Sequence, residues 1–132
     1  MVDALVHLHD QGMVHKDIKL ENMLVRDDLT FELIDFGFTE TDVAEKQSIG
    51  SISNRGTIGY KAPETFKENR PYLEQEVSVK KTDVFSLAVV IFTTLVGCPP
   101  FWKGTISDKL YKNLMANSKE ATRLFWRIHP AT

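Results

Sequence analysis

An apolar run from Leu87 to Val96 constrains the fold of this chain more than any other feature of its sequence. The run is well short of the roughly 20 residues that a helix needs to span a bilayer, so it indicates a buried helix and no membrane partner. The helical stretch begins at Asp83, with Thr82 as the candidate N-cap, and Gly97 with the prolines that follow it marks the end. We therefore predict a buried helix over residues 83–96.

The composition is that of an ordinary globular protein. Of the 132 residues, 42% are hydrophobic and 26% are charged, which excludes a disordered chain. Sixteen Lys and Arg against 18 Asp and Glu give a net charge of -2, so a strongly basic nucleic-acid binder is excluded. Cys98 is the only cysteine and no secretory signal opens the chain, so we expect a reducing compartment, the cytosol or the nucleus. No repeat or linker divides the sequence, which predicts one unit over residues 1–132.

Hydrophobic periodicity predicts several shorter elements. They are a helix over residues 2–8 that stops at Gly12, a β-hairpin of strands 22–25 and 30–34, a helix capped by Ser107 that carries Leu110, Tyr111, Leu114 and Met115, and a last helix through residues 124–126. Residues 38–56 are mostly polar and predict a long irregular loop, of the kind that is usually functional or disordered.

An acid, a base and an amide stand close together in the stretch His-Lys-Asp-Ile-Lys-Leu-Glu-Asn that ends at Asn22. Thirteen residues later, the triplet Asp-Phe-Gly begins at Asp35. Phosphoryl transfer needs such a set, because the nucleophile must be oriented and the phosphate charge neutralised. Asp17 would orient a hydroxyl and accept its proton, and Lys19 would meet the transferred phosphate. Asn22 and Asp35 supply the hard oxygen ligands that Mg²⁺ prefers.

These motifs resemble the catalytic loop and metal-binding motif of eukaryotic protein kinases. The triplet Ala-Pro-Glu that ends at Glu64 is similar to the end of the family's activation segment, and residues 56–60 resemble its substrate-facing part. Residues 83–87 resemble the family's central buried helix, with residues 97–101 after it. The resemblance covers residues 1–126. It implies an α+β fold, a kinase-like C-terminal lobe that is mostly helical with a small β-hairpin at the catalytic loop. It also implies ATP and Mg²⁺ as cofactors and a protein as substrate.

The resemblance assigns roles to further residues. Lys19, two residues after Asp17, is typical of serine/threonine kinases, and Thr57 would hydrogen-bond the catalytic loop. Leu24 resembles the residue that floors the adenine pocket, although a place in the core of a strand satisfies it equally. Asp83 would be a buried anchor of the catalytic loop, where the alternative is an ordinary charge at a helix N-terminus.

Other positions in the motifs have a structural alternative beside a chemical one. His15 is interpreted as packing near Phe36, in the family's hydrophobic spine, rather than as an acid or base. Gly37 completes the Asp-Phe-Gly motif. Glu21 would attract a basic residue of the substrate, or would be a solvated carboxylate.

The serines of the polar loop are candidate phosphorylation sites. Phosphates on Ser48, Ser51 or Ser53 would pair with Lys16 beside the catalytic aspartate, and the alternative for each serine is a solvated polar side chain. Lys16 stands where the family usually has arginine. Because a lysine lacks the bidentate fork of arginine, we expect it to capture a phosphate less directionally.

The sequence departs from the family pattern in what it lacks. No G-x-G-x-x-G and no V-A-I-K-like strand occur, which predicts that the N-terminal lobe is absent. Residues 67–80 form a charged excursion that we predict to be a surface insertion. Glu64 would be partly buried without its usual arginine partner, for which Arg123 and Arg127 are the candidate substitutes.

Two functions follow. In the first, the chain is a fragment of a serine/threonine kinase whose complete parent transfers phosphate from ATP to protein hydroxyls, while the isolated chain is inactive because half of the nucleotide cleft is missing. In the second, it is a truncated, catalytically inactive kinase-like binding or regulatory module. The presence of Asp17, Lys19, Asn22 and Asp35 together favours a functional parent enzyme.

Overall fold

The computed structural model describes residues 1–41 and 44–129. Its elements, in chain order, are α1 (Val2–Asp10), β1 (Met23–Val25), β2 (Phe31–Leu33), β3 (Gln47–Ser48), β4 (Glu76–Val77), α2 (Lys80–Val96), α3 (Lys109–Met115) and α4 (Lys119–Ile128). Short 3-10 turns occupy Leu20–Asn22, Ile49–Ser51, Pro63–Thr65 and Lys67–Tyr72. The mostly helical α+β architecture matches the expectation. Among the described residues, no helix has the length and apolar character to cross a membrane.

Strands β1 and β2 form the predicted hairpin. They pair antiparallel, with Met23 opposite Leu33 and Val25 opposite Phe31. The connecting turn closes locally, because the Asp28 carboxylate accepts hydrogen bonds from the backbone N–H of Thr30 at 3.0 Å and from its hydroxyl at 2.7 Å. The hairpin prediction is confirmed, with strand ends that are one residue shorter.

A second antiparallel pair, β3 with β4, lies where we predicted an irregular loop and a surface insertion. Gln47 is opposite Val77, and Ser48 is opposite Glu76. The loop prediction is wrong over residues 47–51, where β3 and a 3-10 turn form, since the partner strand comes from a distant part of the chain that local patterning does not reveal. Of the predicted loop, residues 42 and 43 lie outside the described residues.

Helix α2 is longer than predicted at its beginning and ends where predicted. It begins at Lys80, and the hydroxyl of Thr82 donates to the carbonyl of Val79 at 2.7 Å inside the first turn. The prediction of Thr82 as the N-cap is therefore wrong. Gly97 closes the helix with a φ of 82°, a left-handed conformation that glycine adopts without a Cβ penalty.

The core is built around α2 as three buried clusters. They are Leu5, Ile18, Leu87 and Val90; Val14, Ile52 and Val79; and Val89, Phe101 and Tyr111. Helix α2 contributes to the first and the third, and the residue just before it contributes to the second. Ile18 lies in residues 15–22, the stretch that resembles a kinase catalytic loop, and Val14 lies next to it. Burial of these two side chains therefore fixes the loop on the helix.

The remaining helices differ in detail from the predictions. Helix α1 ends at Asp10, and Gly12 follows with a φ of 72°, in agreement with a glycine stop. Helix α3 is capped by Asp108 and not by Ser107, whose hydroxyl instead lies 2.8 Å from that of Thr105. One oxygen of the Asp108 carboxylate, Oδ1, accepts from two amides of the first turn, which is the contact that defines an N-cap. The last predicted helix is confirmed as α4.

Candidate active site

The backbone of the catalytic loop is held by one carboxylate in the first turn of α2. Asp83 is 1% exposed, and its two oxygens accept hydrogen bonds from the backbone N–H of His15 at 2.7 Å and of Lys16 at 2.8 Å. The ring of His9 on α1 lies 3.0 Å from the same carboxylate. Lys16 has a φ of 67°, a conformation that costs a residue with a side chain. Asp83 thus joins α1, α2 and the loop at one point.

The side chain of Asp17 is the centre of a hydrogen-bonded group. Lys19 Nζ lies 2.8 Å from Asp17 Oδ2, and the hydroxyl of Thr57 donates to Asp17 Oδ1 at 2.7 Å. The Asn22 amide donates to the Asp17 backbone carbonyl at 2.9 Å and to Oδ2 at 3.2 Å. Lys19 Nζ also donates to the Thr57 hydroxyl at 3.1 Å. Four of the predicted site residues therefore meet in one cluster.

The charges of this cluster favour an ionised pair. Burial alone would raise the pKa of Asp17, but hydrogen bonds from Lys19, Thr57 and Asn22 and the charge of Lys19 together hold the pKa of Asp17 below its ordinary value. The hydrogen bond to Asp17 raises the pKa of Lys19. At neutral pH Asp17 is a carboxylate that can accept a proton, and Lys19 is a cation beside it.

Asp35 follows β2 and is linked back to the catalytic loop. The backbone N–H of Ile34 donates to the carbonyl of Asn22 at 3.0 Å, which ties the two motifs together. Asp35 has a φ of 61°, and its carboxylate is exposed and accepts from the backbone N–H of Gly37 at 3.2 Å. A Cβ at Gly37 would lie 3.1 Å from that carboxylate oxygen, which is shorter than an ordinary van der Waals contact.

His15 is fully buried and engaged through both ring nitrogens. Its Nε2 lies 3.2 Å from the carbonyl of Ile34, and its Nδ1 lies 3.3 Å from the backbone N–H of Asp17. A neutral ring with its proton on Nε2 satisfies both contacts. The ring also packs on Phe36, with centroids 5.0 Å apart. These contacts fit a packing and positioning role better than proton transfer.

Asn22 of the cluster and Asp35 of the Asp-Phe-Gly triplet present oxygen atoms suited to Mg²⁺. The Asn22 amide nitrogen is used by Asp17, which leaves the amide oxygen as its ligand atom, and the Asp35 carboxylate is exposed. Within residues 1–41 and 44–129, no group of three or more His, Cys, Asp or Glu side chains gathers to hold a metal ion. Since Mg²⁺ commonly binds one or two protein oxygens together with substrate phosphates and water, the donor set fits it.

The other predicted site residues surround this cluster without joining it. Leu24 lies on β1 opposite Glu32 and is half exposed. Glu21 is exposed in the turn before β1, where its charge contributes to raising the pKa of Lys19. Beside Thr57, an open cavity of about 400 Å³ has a mainly apolar lining. Its lining residues are Thr57, Ile58, Gly59, Tyr60, Thr93, Pro99, Phe101 and Trp102.

The candidate phosphorylation sites do not contact Lys16 as hydroxyls. Ser48 and Ser51 are exposed, and the hydroxyl of Ser51 donates to the Ser48 carbonyl at 2.8 Å. Ser53 lines a small cavity with Lys16, and its hydroxyl accepts from the backbone N–H of Arg55 at 3.3 Å. Lys16 Nζ itself lies 2.6 Å from the carboxylate of Glu40. The cation that we expected a phosphate to use is therefore already paired.

Three contacts at the site involve residues that the sequence analysis did not single out. They are His9 on Asp83, Glu40 on Lys16, and Lys61, whose ammonium donates to the backbone and side-chain oxygens of Asn54. Lys61 is 7% exposed, and burial together with the nearby Lys103 lowers its pKa. Each partner is distant in the chain or lacks a motif, so no local signal indicated it.

Glu64 is partly buried, as expected. Burial raises the pKa of its carboxyl, and a hydrogen bond from the backbone and the charge of Lys81 offset this only in part. Neither Arg123 nor Arg127 forms an ion pair with Glu64, and no other ion pair to Glu64 forms within the described ranges.

Comparison with known proteins places this fold and site in a family. A model of the protein kinase domain matches residues 1–129. The catalytic gamma chain of bovine phosphorylase b kinase, liver/testis isoform, is 36% identical over 106 residues, or 77% of this chain. Human 3-phosphoinositide-dependent protein kinase 1 is 32% identical over 79% of it. The serine/threonine-protein kinase/endoribonuclease IRE1a of Arabidopsis thaliana is 35% identical over 97% of it.

The chain therefore belongs to the protein kinase family. It spans 24% of the length of the phosphorylase b kinase chain, 17% of the human kinase and 16% of the plant kinase. The match covers the catalytic loop, the Asp-Phe-Gly triplet and helix α2.

Proposed function

We propose that this chain carries the catalytic loop of a serine/threonine protein kinase, which transfers a phosphoryl group from ATP to a hydroxyl group of a protein. One observation carries the proposal. The Asp17 carboxylate is kept ionised and is fixed by Lys19, Thr57 and Asn22, at 2.8, 2.7 and 3.2 Å. A base with a fixed direction beside a fixed cation is what this reaction requires of a protein.

Five of the predicted site residues have a definite task in the proposed reaction. Asp17 accepts a hydrogen bond from the substrate hydroxyl and takes its proton as the oxygen attacks. Lys19 neutralises charge on the transferred group. Asn22 and Asp35 would hold Mg²⁺, which would supply positive charge to neutralise the phosphates of ATP. Leu24, half exposed in the middle of β1, would contact the adenine.

The preference for serine and threonine rests on Lys19 and on the relatives. Lys19 fills the position near Asp17 where a serine/threonine kinase places its lysine, and it contacts both Asp17 and Thr57. The plant relative is named as a serine/threonine-protein kinase. The open apolar cavity beside Thr57 offers the substrate chain a place to dock next to Asp17.

The test uses the natural gene product that contains residues 1–132. Its intact mass is measured, and the same preparation is incubated with labelled ATP, Mg²⁺ and a protein substrate, followed by identification of the labelled amino acid. We expect label on serine or threonine. Asp17→Asn should reduce transfer by about 10²- to 10⁴-fold. The matched control Asp27→Asn changes an exposed aspartate in the turn after β1 and should leave transfer unchanged.

The outcomes separate the candidate functions. Label on tyrosine would contradict the proposed specificity, and transfer that survives Asp17→Asn would contradict the role of Asp17. A product with a mass near 15.0 kDa that shows no transfer would instead assign the chain to a noncatalytic binding or regulatory module.

A further inference from the structure

Residues 47–52, which precede Thr57, are bound by residues 67–80, the segment that we predicted to be a surface insertion. Strand β3 pairs with β4, and directly after β3 the backbone N–H of Ile49 donates to the carbonyl of Gln75 at 2.7 Å. Residues 47–52 are thus bound as a strand and a turn by a part of the chain more than twenty residues away. Such pairing satisfies backbone groups that a free loop would leave to water.

Arg70 adds hydrogen bonds to this contact, and we call Arg70 and the β3–β4 pair together the clasp. Its guanidinium donates to the backbone carbonyl of Ile52 at 2.8 Å and to that of Gly50 at 3.3 Å. The two carbonyls are two residues apart, so one planar fork spans the turn and fixes its shape. A lysine carries its three N–H donors on one nitrogen atom and lacks this planar fork, so it would hold the two carbonyls less directionally.

Apolar contacts connect the clasp to the catalytic loop. Ile52 is 4% exposed and packs with Val14 and Val79, which are both fully buried. Val14 immediately precedes His15, and its backbone exchanges two hydrogen bonds of 2.9 Å with Glu40. Order in residues 47–52 is thereby transmitted to the residue that enters the catalytic loop.

The charge that a phosphate would seek at this point is already neutralised. The side chain of Lys16 is almost fully buried, and its Nζ lies 2.6 Å from the Glu40 carboxylate. Glu40 belongs to the predicted loop of residues 38–56, which also contains the candidate serines. The ion pair therefore supplies from within the chain the contact that an added phosphate would otherwise make.

We propose that Arg70 is a positioning residue that, with the β3–β4 pair, holds residues 47–52 in place without phosphorylation of Ser48, Ser51 or Ser53. The proposal rests on the proposed function in one respect, namely that this segment borders a phosphotransfer site. It assigns to residues 67–80 the regulation of that site, by an ordering that is built into the chain.

Amide hydrogen exchange of the unphosphorylated 132-residue chain tests this directly, with the intact mass confirming that no phosphate is present. We expect residues 47–52 to be protected in the wild-type chain. Arg70→Ala should speed their exchange by about tenfold or more, because two hydrogen bonds from a charged donor are lost. Exchange in helix α2 should not change. Arg70→Lys should restore part of the protection, and the control Lys67→Ala, at an exposed position of the same segment, should have no effect.

Several results would overturn the proposal. If residues 47–52 of the wild-type chain exchange at the rate of an unstructured peptide, no clasp exists. If residues 47–52 remain as protected in Arg70→Ala as in the wild type, Arg70 does not hold them. The same conclusion follows if Arg70→Lys and Arg70→Ala speed their exchange equally. If Arg70→Ala accelerates exchange in α2 as well, the chain has unfolded and Arg70→Lys decides alone. Because exchange does not depend on catalysis, a wild-type chain without phosphotransfer would count against the proposed function only.

Discussion

The hydroxyl of Thr57 lies 2.7 Å from the carboxylate of Asp17, 40 residues earlier in the chain, and donates a hydrogen bond to it. The same hydroxyl accepts a hydrogen bond from Lys19 at 3.1 Å. One side chain from residues 56–60, which resemble the substrate-facing part of a kinase activation segment, therefore bonds to both Asp17 and Lys19. The ionisation of Asp17 depends in part on the position of that segment.

Replacing Thr57 by valine should raise the pKa of Asp17 towards its ordinary value, since one of the hydrogen bonds that lower it is lost. Loss of a hydrogen bond to a charged group should also cost about 1.5–3 kcal/mol at pH 7. In the wild-type chain, the stabilisation from Asp17 is present above the unfolded-state carboxyl pKa of about 3.9 and is lost as the pH falls through the lower folded-state pKa. In the variant, this loss should occur at a higher pH.

The measurement is the titration of the Asp17 carboxyl carbon by NMR, together with urea unfolding at several pH values. Thr57→Ser keeps the hydroxyl and should behave as the wild type does. An unchanged Asp17 titration in Thr57→Val would show that Lys19 and Asn22 alone set the ionisation.

Replacing Asp83 by alanine should destabilise the chain by about 3 kcal/mol or more. The substitution leaves the buried amides of His15 and Lys16 without an acceptor, and each unsatisfied buried group costs about 1–3 kcal/mol. Urea unfolding measures the difference. Asp83→Asn, which keeps one acceptor oxygen, should give an intermediate value. The exposed Asp27→Ala is the control, and a loss as small as the control's would contradict the anchoring role.

Two glycines with positive φ make a matched pair for a substitution by alanine. A Cβ at Gly56 would lie 2.5 Å from the backbone oxygen of Lys16, whereas a Cβ at Gly12 would meet nothing within 4 Å. Gly12→Ala should cost only the backbone penalty of about 1–2 kcal/mol. Gly56→Ala should cost clearly more and should shift the NMR signals of the catalytic loop. Equal losses in thermal unfolding would mean that the loop gives way easily at Lys16.

Replacing Glu64 by glutamine should stabilise this chain at pH 7. Burial raises the pKa of Glu64 in the folded state, so stability falls as the pH rises from the unfolded-state value of about 4.3 through the folded-state pKa. Glutamine does not ionise and avoids this loss. Below about pH 4 the two chains should be equally stable. Denaturant unfolding across this range checks the difference, and a variant that is less stable at pH 7 would show that the carboxylate has a partner in solution.

Sequence reasoning predicted the elements whose determining residues are neighbours in the chain. The β1–β2 hairpin and the end of α2 at Gly97 depend on local turn geometry, and both were predicted. The start of α2 was misplaced because the hydroxyl of Thr82 bonds inside the first turn instead of capping it. The β3–β4 pair was missed because its two-residue strands are too short to have a periodicity and lie far apart in the chain.

The site shows the same division. Asp17, Lys19 and Asn22 were proposed from their spacing, and the structure brings them together with Thr57. The contact of Glu40 with Lys16 is not visible in the sequence, because many acidic residues are near enough in the chain to make it. Tertiary packing alone selects the one that does.

The hydrogen bonds from Asp83 to the catalytic loop join residues that are 68 and 67 positions apart in the chain. Closing so long a stretch costs chain entropy before any contact repays it, so contacts of this kind form slowly. A nascent chain that has emerged as far as Lys80 already contains Asp17, Lys19 and Asn22, but it has no carboxylate to hold their loop. The hydrogen-bonded arrangement of Asp17, Lys19 and Asn22, on which the proposed function depends, is therefore acquired late in folding, when α2 docks.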